Sequence, residues 1–116
     1  MLKHRIFTSS EFILPSDDEP LRSVVTSSED ATVIMWTVKP GQQIKPHVHP
    51  DGQDTWFVIS GSAEYISDTK ETKATIKQGD VVIAHRGEVH GTLNIENEPF
   101  TFLSVVSPTN AGFELK

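Results

Sequence analysis

Two histidines one residue apart, His47 and His49, offer the first chemistry in this chain. On an extended strand, side chains two positions apart share a face, so both imidazoles are expected to point the same way. Pro46 and Pro50 flank the pair and argue against a helix, because each removes a backbone donor and pushes the residue before it toward extended geometry. Asp54 follows and opens the apolar run Trp56-Phe57-Val58-Ile59. If that run pairs back as a strand, it brings a carboxylate toward both imidazoles. The outline is a metal-ligand set. Cysteine is absent, which excludes a disulfide framework and a thiolate-rich structural zinc site and leaves imidazole, carboxylate, amide and water oxygen as donors.

The elements that must position these groups read as short strands. Gly, Pro and Asp clusters break the chain into Ala31–Lys39, Gln43–Val48, Asp54–Ser60, Ser62–Ser67, Thr72–Lys77, Val81–Ala84, Val89–Ile95 and Phe100–Val106. The tip Asp68-Thr69-Lys70-Glu71 joins two of them as a hairpin. No stretch carries a 3.6-residue apolar period over three turns, so the predicted class is all-β. Two further extended segments, Glu11–Leu14 and Leu21–Thr26, flank the acidic turn from Pro15 to Pro20 and are read as edge strands able to extend a sheet or cross to a partner subunit. The division expected is one domain: N-terminal edge strands over 1–30, a barrel over 31–107, and an irregular tail over 108–116 that contains Pro108, Asn110 and Gly112. So many short strands in one small domain leave edges to protect, and closure into a barrel or two-sheet jelly roll removes them.

Composition narrows the partners. With 116 residues the chain matches the commonest domain size. The net charge of −6 and the singly scattered Lys and Arg argue against the basic stripe of a nucleic-acid or anionic-membrane binder. Apolar runs such as Val33–Trp36 and Val81–Ala84 are far shorter than the ~20 residues that span a bilayer. The N-terminal MLKHRIFTSSEF has no apolar stretch of signal-peptide length, and a cytoplasmic location is expected.

The motifs resemble those of the cupins, small β-barrels marked by two glycine-bounded histidine motifs. Gly41, His47, His49 and Gly61 fall at the spacings of the first motif, with Asp54 at its glutamate position; Gly79, Gly87, His90 and Asn94 fit the second, and His85 stands where proline is usual. The resemblance covers about half the chain and implies a single-domain double-stranded β-helix, a jelly-roll barrel. It adds His90 to His47 and His49 as a third metal ligand. Asp54 is one methylene shorter than the family's glutamate, so either Asp54 or its neighbour Gln53 completes the set; strand alternation prevents both from facing in. Such donors suit one divalent transition metal per chain, Fe, Mn, Ni, Cu or Zn. The family's precedents place a dioxygenase-like oxidoreductase first, a sugar-type isomerase or lyase second, and a non-enzymatic module that binds a metabolite or senses metal as the alternative. They also imply a small-molecule ligand and a homodimer paired through an exposed sheet.

Several other residues receive structural roles. Trp56 shares the parity of Asp54 and is read as a core aromatic ahead of a substrate-stacking role; Met35, Trp36, Phe100 and Phe102 are read as core, and Asn94 as holding the strand around His90. His85 is read as a strand cap ahead of a titratable group near the pocket mouth, His4 as a solvated terminal residue, and Lys45 and Arg86 as solvated cations ahead of contacts to an anionic substrate.

Overall fold

The computed structural model describes residues 4–70 and 72–116; Glu71, assigned to the hairpin tip from sequence, lies outside them. Ten strands follow in order: β1 (Ser23–Ser27), β2 (Thr32–Val38), β3 (Gln43–Val48), β4 (Gln53–Ser60), β5 (Ser62–Ile66), β6 (Lys73–Lys77), β7 (Val81–Ala84), β8 (His90–Leu93), β9 (Phe100–Ser107) and β10 (Glu114–Leu115). They form two five-stranded antiparallel sheets, ordered β1-β2-β9-β4-β7 and β10-β3-β8-β5-β6. This is the double-stranded β-helix that the motifs imply.

Alternation along the strands builds the interior. On β9, Phe100, Phe102, Ser104 and Val106 are buried, and on β4 so are Asp54, Trp56 and Val58. Val38, Trp56, Val58, Ala63, Tyr65, Ile76, Phe100 and Phe102 form the main apolar core. Trp56 joins that core to the histidines: its ring lies 4.1 Å from Phe102, 5.3 Å from Tyr65 and 5.9 Å from His90. One end of the barrel is therefore packed with aromatic and aliphatic side chains, and the other carries the polar cluster.

Two glycines sit where no side chain fits. Gly61, between β4 and β5, takes φ +81°, and a Cβ there would come within 2.4 Å of the Pro99 carbonyl oxygen. Gly91, directly after His90 on β8, lies so close to β3 that a Cβ would meet the Ile44 carbonyl oxygen at 2.7 Å. That close approach coincides with the register irregularity of the β3–β8 pair between Ile44 and His47, across which His47 faces His90.

Two expectations need correction. Glu11–Leu14 is not an edge strand: Ser9–Phe12 is a 3₁₀ turn in which the Glu11 amide donates to Thr8 and the Ile13 amide to Ser10. Ser and Thr at positions 8 to 10 favour such local closure over a ladder. The tail is also more regular than expected, because Glu114 and Leu115 pair with Val48 and His47 as β10. Leu21–Thr26, by contrast, overlaps β1, which pairs with β2 at one edge of its sheet. No helix among the described residues is long and apolar enough to cross a membrane.

Candidate metal centre

His47 on β3, Asp54 at the start of β4 and His90 at the start of β8 are buried, and His49 follows just beyond β3. One ligand atom from each of the four lies within 4.8 Å of the others. The ring centroids of His47 and His90 are 4.1 Å apart, and those of His47 and His49 5.2 Å. Asp54 Oδ2 stands 3.1 Å from His90 Nε2 and 3.4 Å from His49 Nε2. Of the two side chains weighed for the fourth position, Asp54 is thus the one brought to the imidazoles; Gln53 takes the opposite face of β4 and does not line the cavity.

Each imidazole is aimed through its other nitrogen. His47 Nδ1 lies 2.7 Å from the Lys45 carbonyl oxygen, His49 Nδ1 2.6 Å from that of Gly112, and His90 Nδ1 3.1 Å from that of Glu88. A carbonyl only accepts, so each Nδ1 carries a proton, and in the neutral ring Nε2 presents a lone pair inward. For His49 and His90 that lone pair faces the Asp54 carboxylate, a second acceptor. A neutral imidazole has one N–H and cannot satisfy acceptors on both sides. Either the rings are protonated or a cation lies between Nε2 and the carboxylate, and this donor set of three imidazoles and one carboxylate fits a divalent transition metal.

The charges follow the same geometry. Burial pushes His47 down to about 4, helped by the neighbouring His90, so it is neutral and ready to ligate at neutral pH. Burial opposes charge on His49, but Asp54 and the Gly112 carbonyl outweigh it and raise its pKa. For Asp54, burial is outweighed by hydrogen bonds to His49, His90 and Ser104, which hold the carboxyl well below the usual range. These shifts set a pH profile for the metal-free protein. His47 binds its proton at pH 6.5 when unfolded and only near 4 when folded, so stability falls as pH drops through that window, by up to about 3 kcal/mol. His49 acts on the other side: its raised pKa gives stability that is lost as pH rises above 6.5 through its folded value. Chemical denaturation of metal-free protein is expected to show maximal stability near pH 6.5, with the acid limb flattened in His47→Gln.

The cluster opens into a cavity of about 1040 Å³. Ile34, Trp36, Ile44, Val106, Phe113 and Leu115 supply apolar wall, and Asp18, Glu19, Arg22 and Lys45 are its titratable groups beyond the cluster. Trp56 also lines it while remaining in the core. Trp36 is half-buried against both core and cavity. His85 and Glu88 pair with each other at 2.9 Å on the exposed surface and do not line the cavity. Asn94 is fully buried and donates to the carbonyls of Val38 and Glu98, which fixes the turn after β8.

Three contributors escape a reading by motif. Ser104 donates to Asp54 Oδ1 at 2.5 Å. The tail supplies Gly112 to His49 and lays Phe113 5.0 Å from His47. Ser104 alone left a trace in sequence, as the hydroxyl in an otherwise apolar inward stripe of β9.

A two-sheet β-helix barrel with three inward imidazoles and a carboxylate at one end defines a class of small barrels able to bind a metal ion. The profile of the family described as Cupin domain matches residues 34–106, and the chain belongs to that family. A solved structure of an uncharacterized conserved protein with a double-stranded β-helix domain from Klebsiella pneumoniae is 52% identical, with a TM-score of 0.92 and 96% of each chain covered. The pectin degradation protein KdgF of Dickeya dadantii is 28% identical over 79% of this chain and 81% of its own length. A glucose-6-phosphate isomerase of Thermococcus kodakarensis is 32% identical over 72% of this chain, which spans 48% of that protein.

Proposed function

We propose that this cupin is a metal-dependent enzyme of the isomerase or lyase type, acting on a small sugar-derived substrate. The observation that carries the metal is the pair of imidazoles, His49 and His90, each placed between two acceptors with one proton to share. His47, His49, His90 and Asp54 Oδ2 would hold the ion, which supplies Lewis-acid polarisation of a substrate carbonyl or hydroxyl oxygen. The reaction type rests on the two curated relatives, a pectin degradation protein and a sugar-phosphate isomerase, and takes precedence over the dioxygenase reading for that reason. The chain's own groups do the rest. Trp36, Ile44 and Phe113 wall one side of the bound molecule, the Nδ1–carbonyl bonds keep the imidazoles from rotating, and Asp18, Glu19 and Lys45 are the cavity-lining side chains available for proton transfer.

The test is turnover of sugar phosphates and pectin-derived sugar acids by protein loaded in turn with Fe(II), Mn(II), Ni(II) and Zn(II), with oxygen uptake recorded in parallel on diols. Metal-dependent turnover without oxygen uptake supports the proposal. Oxygen consumption would return the dioxygenase reading, and a ligand that raises the melting temperature without turnover would favour a binding module.

We also propose that the chain pairs as a homodimer through the outer face of the β1-β2-β9-β4-β7 sheet. Register places Val81, Phe57 and Leu103 in one row across that face and Ile83, Thr55, Val105 and Val33 in the next. None is charged, and Phe57, Val81 and Ile83 are exposed. Two copies that each carry a charge of −6 meet with least repulsion across such a surface. Light scattering is expected to give twice the 12.9 kDa chain mass, and Phe57→Lys should return a monomer. A wild-type mass near 12.9 kDa would refute the pairing.

A further inference from the structure

We infer that Ser104 is a positioning residue that holds back one oxygen of Asp54, so that the carboxylate meets a cation through Oδ2 alone. The inference rests on the metal reading above and concerns how the shorter acid serves where the family motif has glutamate. It begins with a misfit in a pattern. The inward positions of β9 are Phe100, Phe102, Ser104 and Val106, and Ser104 is 1% exposed among Ile34, Trp56 and those neighbours. A buried hydroxyl in an apolar stripe is unfavourable unless it is hydrogen-bonded, and small apolar residues would fit the stripe equally well. Its one hydrogen bond among the described residues is the 2.5 Å donation to Asp54 Oδ1.

Register explains how the two meet. Asp54 pairs with Val106 and Trp56 with Ser104 across the β4–β9 ladder, so Ser104 is the diagonal inward neighbour of Asp54. The two carboxylate oxygens consequently have different surroundings. Oδ1 faces the hydroxyl of β9, while Oδ2 faces His90 Nε2 at 3.1 Å and His49 Nε2 at 3.4 Å. The carboxylate cannot turn both oxygens toward the imidazoles without breaking the Ser104 bond inside a buried site, where a lost charge-assisted bond is costly. With one oxygen withheld, the remaining positions around a metal are left to oxygens from the cavity. The ligand class this favours is one that presents two neighbouring oxygens, such as an α-hydroxycarbonyl, a vicinal diol or a hydroxamate.

The test compares wild type, Ser104→Ala and Ser104→Thr after Co(II) loading, with acetohydroxamate as the two-oxygen probe. Three quantities are read: Co(II) affinity by competition with a chromophoric chelator, the visible spectrum of bound Co(II), and acetohydroxamate affinity from the change in that spectrum. Ser104→Ala is expected to bind Co(II) about tenfold more weakly, to show an altered spectrum, and to bind acetohydroxamate about tenfold more weakly. Ser104→Thr, which keeps the hydroxyl, should restore the wild-type spectrum. The inference is overturned if the alanine variant matches wild type in spectrum and hydroxamate affinity, or if folded threonine variant shares the alanine spectrum. Failure of wild type itself to take up Co(II) or any other divalent transition metal would instead remove the metal reading, a separate result.

Discussion

Protein carrying His90→Ala is expected to purify without bound transition metal, whereas wild type should carry about one per chain by elemental analysis. His90 contributes Nε2 to the cluster 3.1 Å from Asp54 Oδ2, and its ring is 1% exposed between His47 and Trp56. Loss of partners that merely orient a metal-bound histidine weakens binding about 10- to 100-fold, so loss of the histidine itself should exceed that range. A second consequence distinguishes this site from a surface histidine pair. Without His90, the buried Asp54 carboxylate keeps only Ser104 and His49 of the hydrogen bonds that hold it ionised, so its pKa should rise. Burial without compensation also destabilises the fold, and together with the void left by the ring the variant should lose about 2–4 kcal/mol. His90→Asn, which fills more of the void, separates the two effects: it should recover part of the stability and none of the metal. A folded His90→Ala protein that retained one metal per chain would refute the assignment of the site.

How far such a site could be read from the chain depends on how local each determinant is. His47 and His49 share a face through alternation alone, and Gly41, Gly61, Gly79 and Gly87 all take positive φ, so a motif of glycines and histidines at fixed spacing encodes the turns directly. The apolar run of β4 and the four-residue β7 likewise form the strands their patterns suggest, although their pairing, Asp54 with Ala84 and Phe57 with Val81, is not written in either. Whether Gln53 or Asp54 faces inward is a one-residue register question, and local sequence is silent on it. The answer comes from β9, which pairs Asp54 with Val106 and sets a hydroxyl diagonally opposite. The same holds at the ends of the chain. Glu114 and Leu115 are a strand only because β3 offers them a free edge, whereas Ser9–Phe12 closes on itself although β1, which it touches, ends its sheet. Non-local pairing, then, is what the sequence leaves out.

That dependence on distant chain leads to the second large effect: truncation after Ala111 should weaken metal binding although it removes no ligand. His49 Nδ1 donates to the Gly112 carbonyl at 2.6 Å, and no other acceptor among the described residues contacts that nitrogen. Once it is gone, the ring can rotate or shift its proton to Nε2, and either change takes the lone pair away from the site. Truncation also removes β10 from the edge of β3 at Val48 and His47, the bond from the Lys116 amide to the Pro46 carbonyl, and Phe113 from its place beside His47. The expected loss of metal affinity is about 10- to 100-fold, measured by competition with a chromophoric chelator. Phe113→Ala serves as the control, because it opens the cavity wall while leaving the Gly112 carbonyl in place; it should weaken ligand binding and leave metal affinity within about threefold of wild type. The Gly112 carbonyl is one of the groups that raise the His49 pKa, so its removal should also shift the pH dependence of metal uptake relative to wild type. Equal metal affinity and equal pH dependence in full-length and truncated protein would mean that β3 alone fixes the histidine pair, and the tail would be reduced to a wall of the cavity.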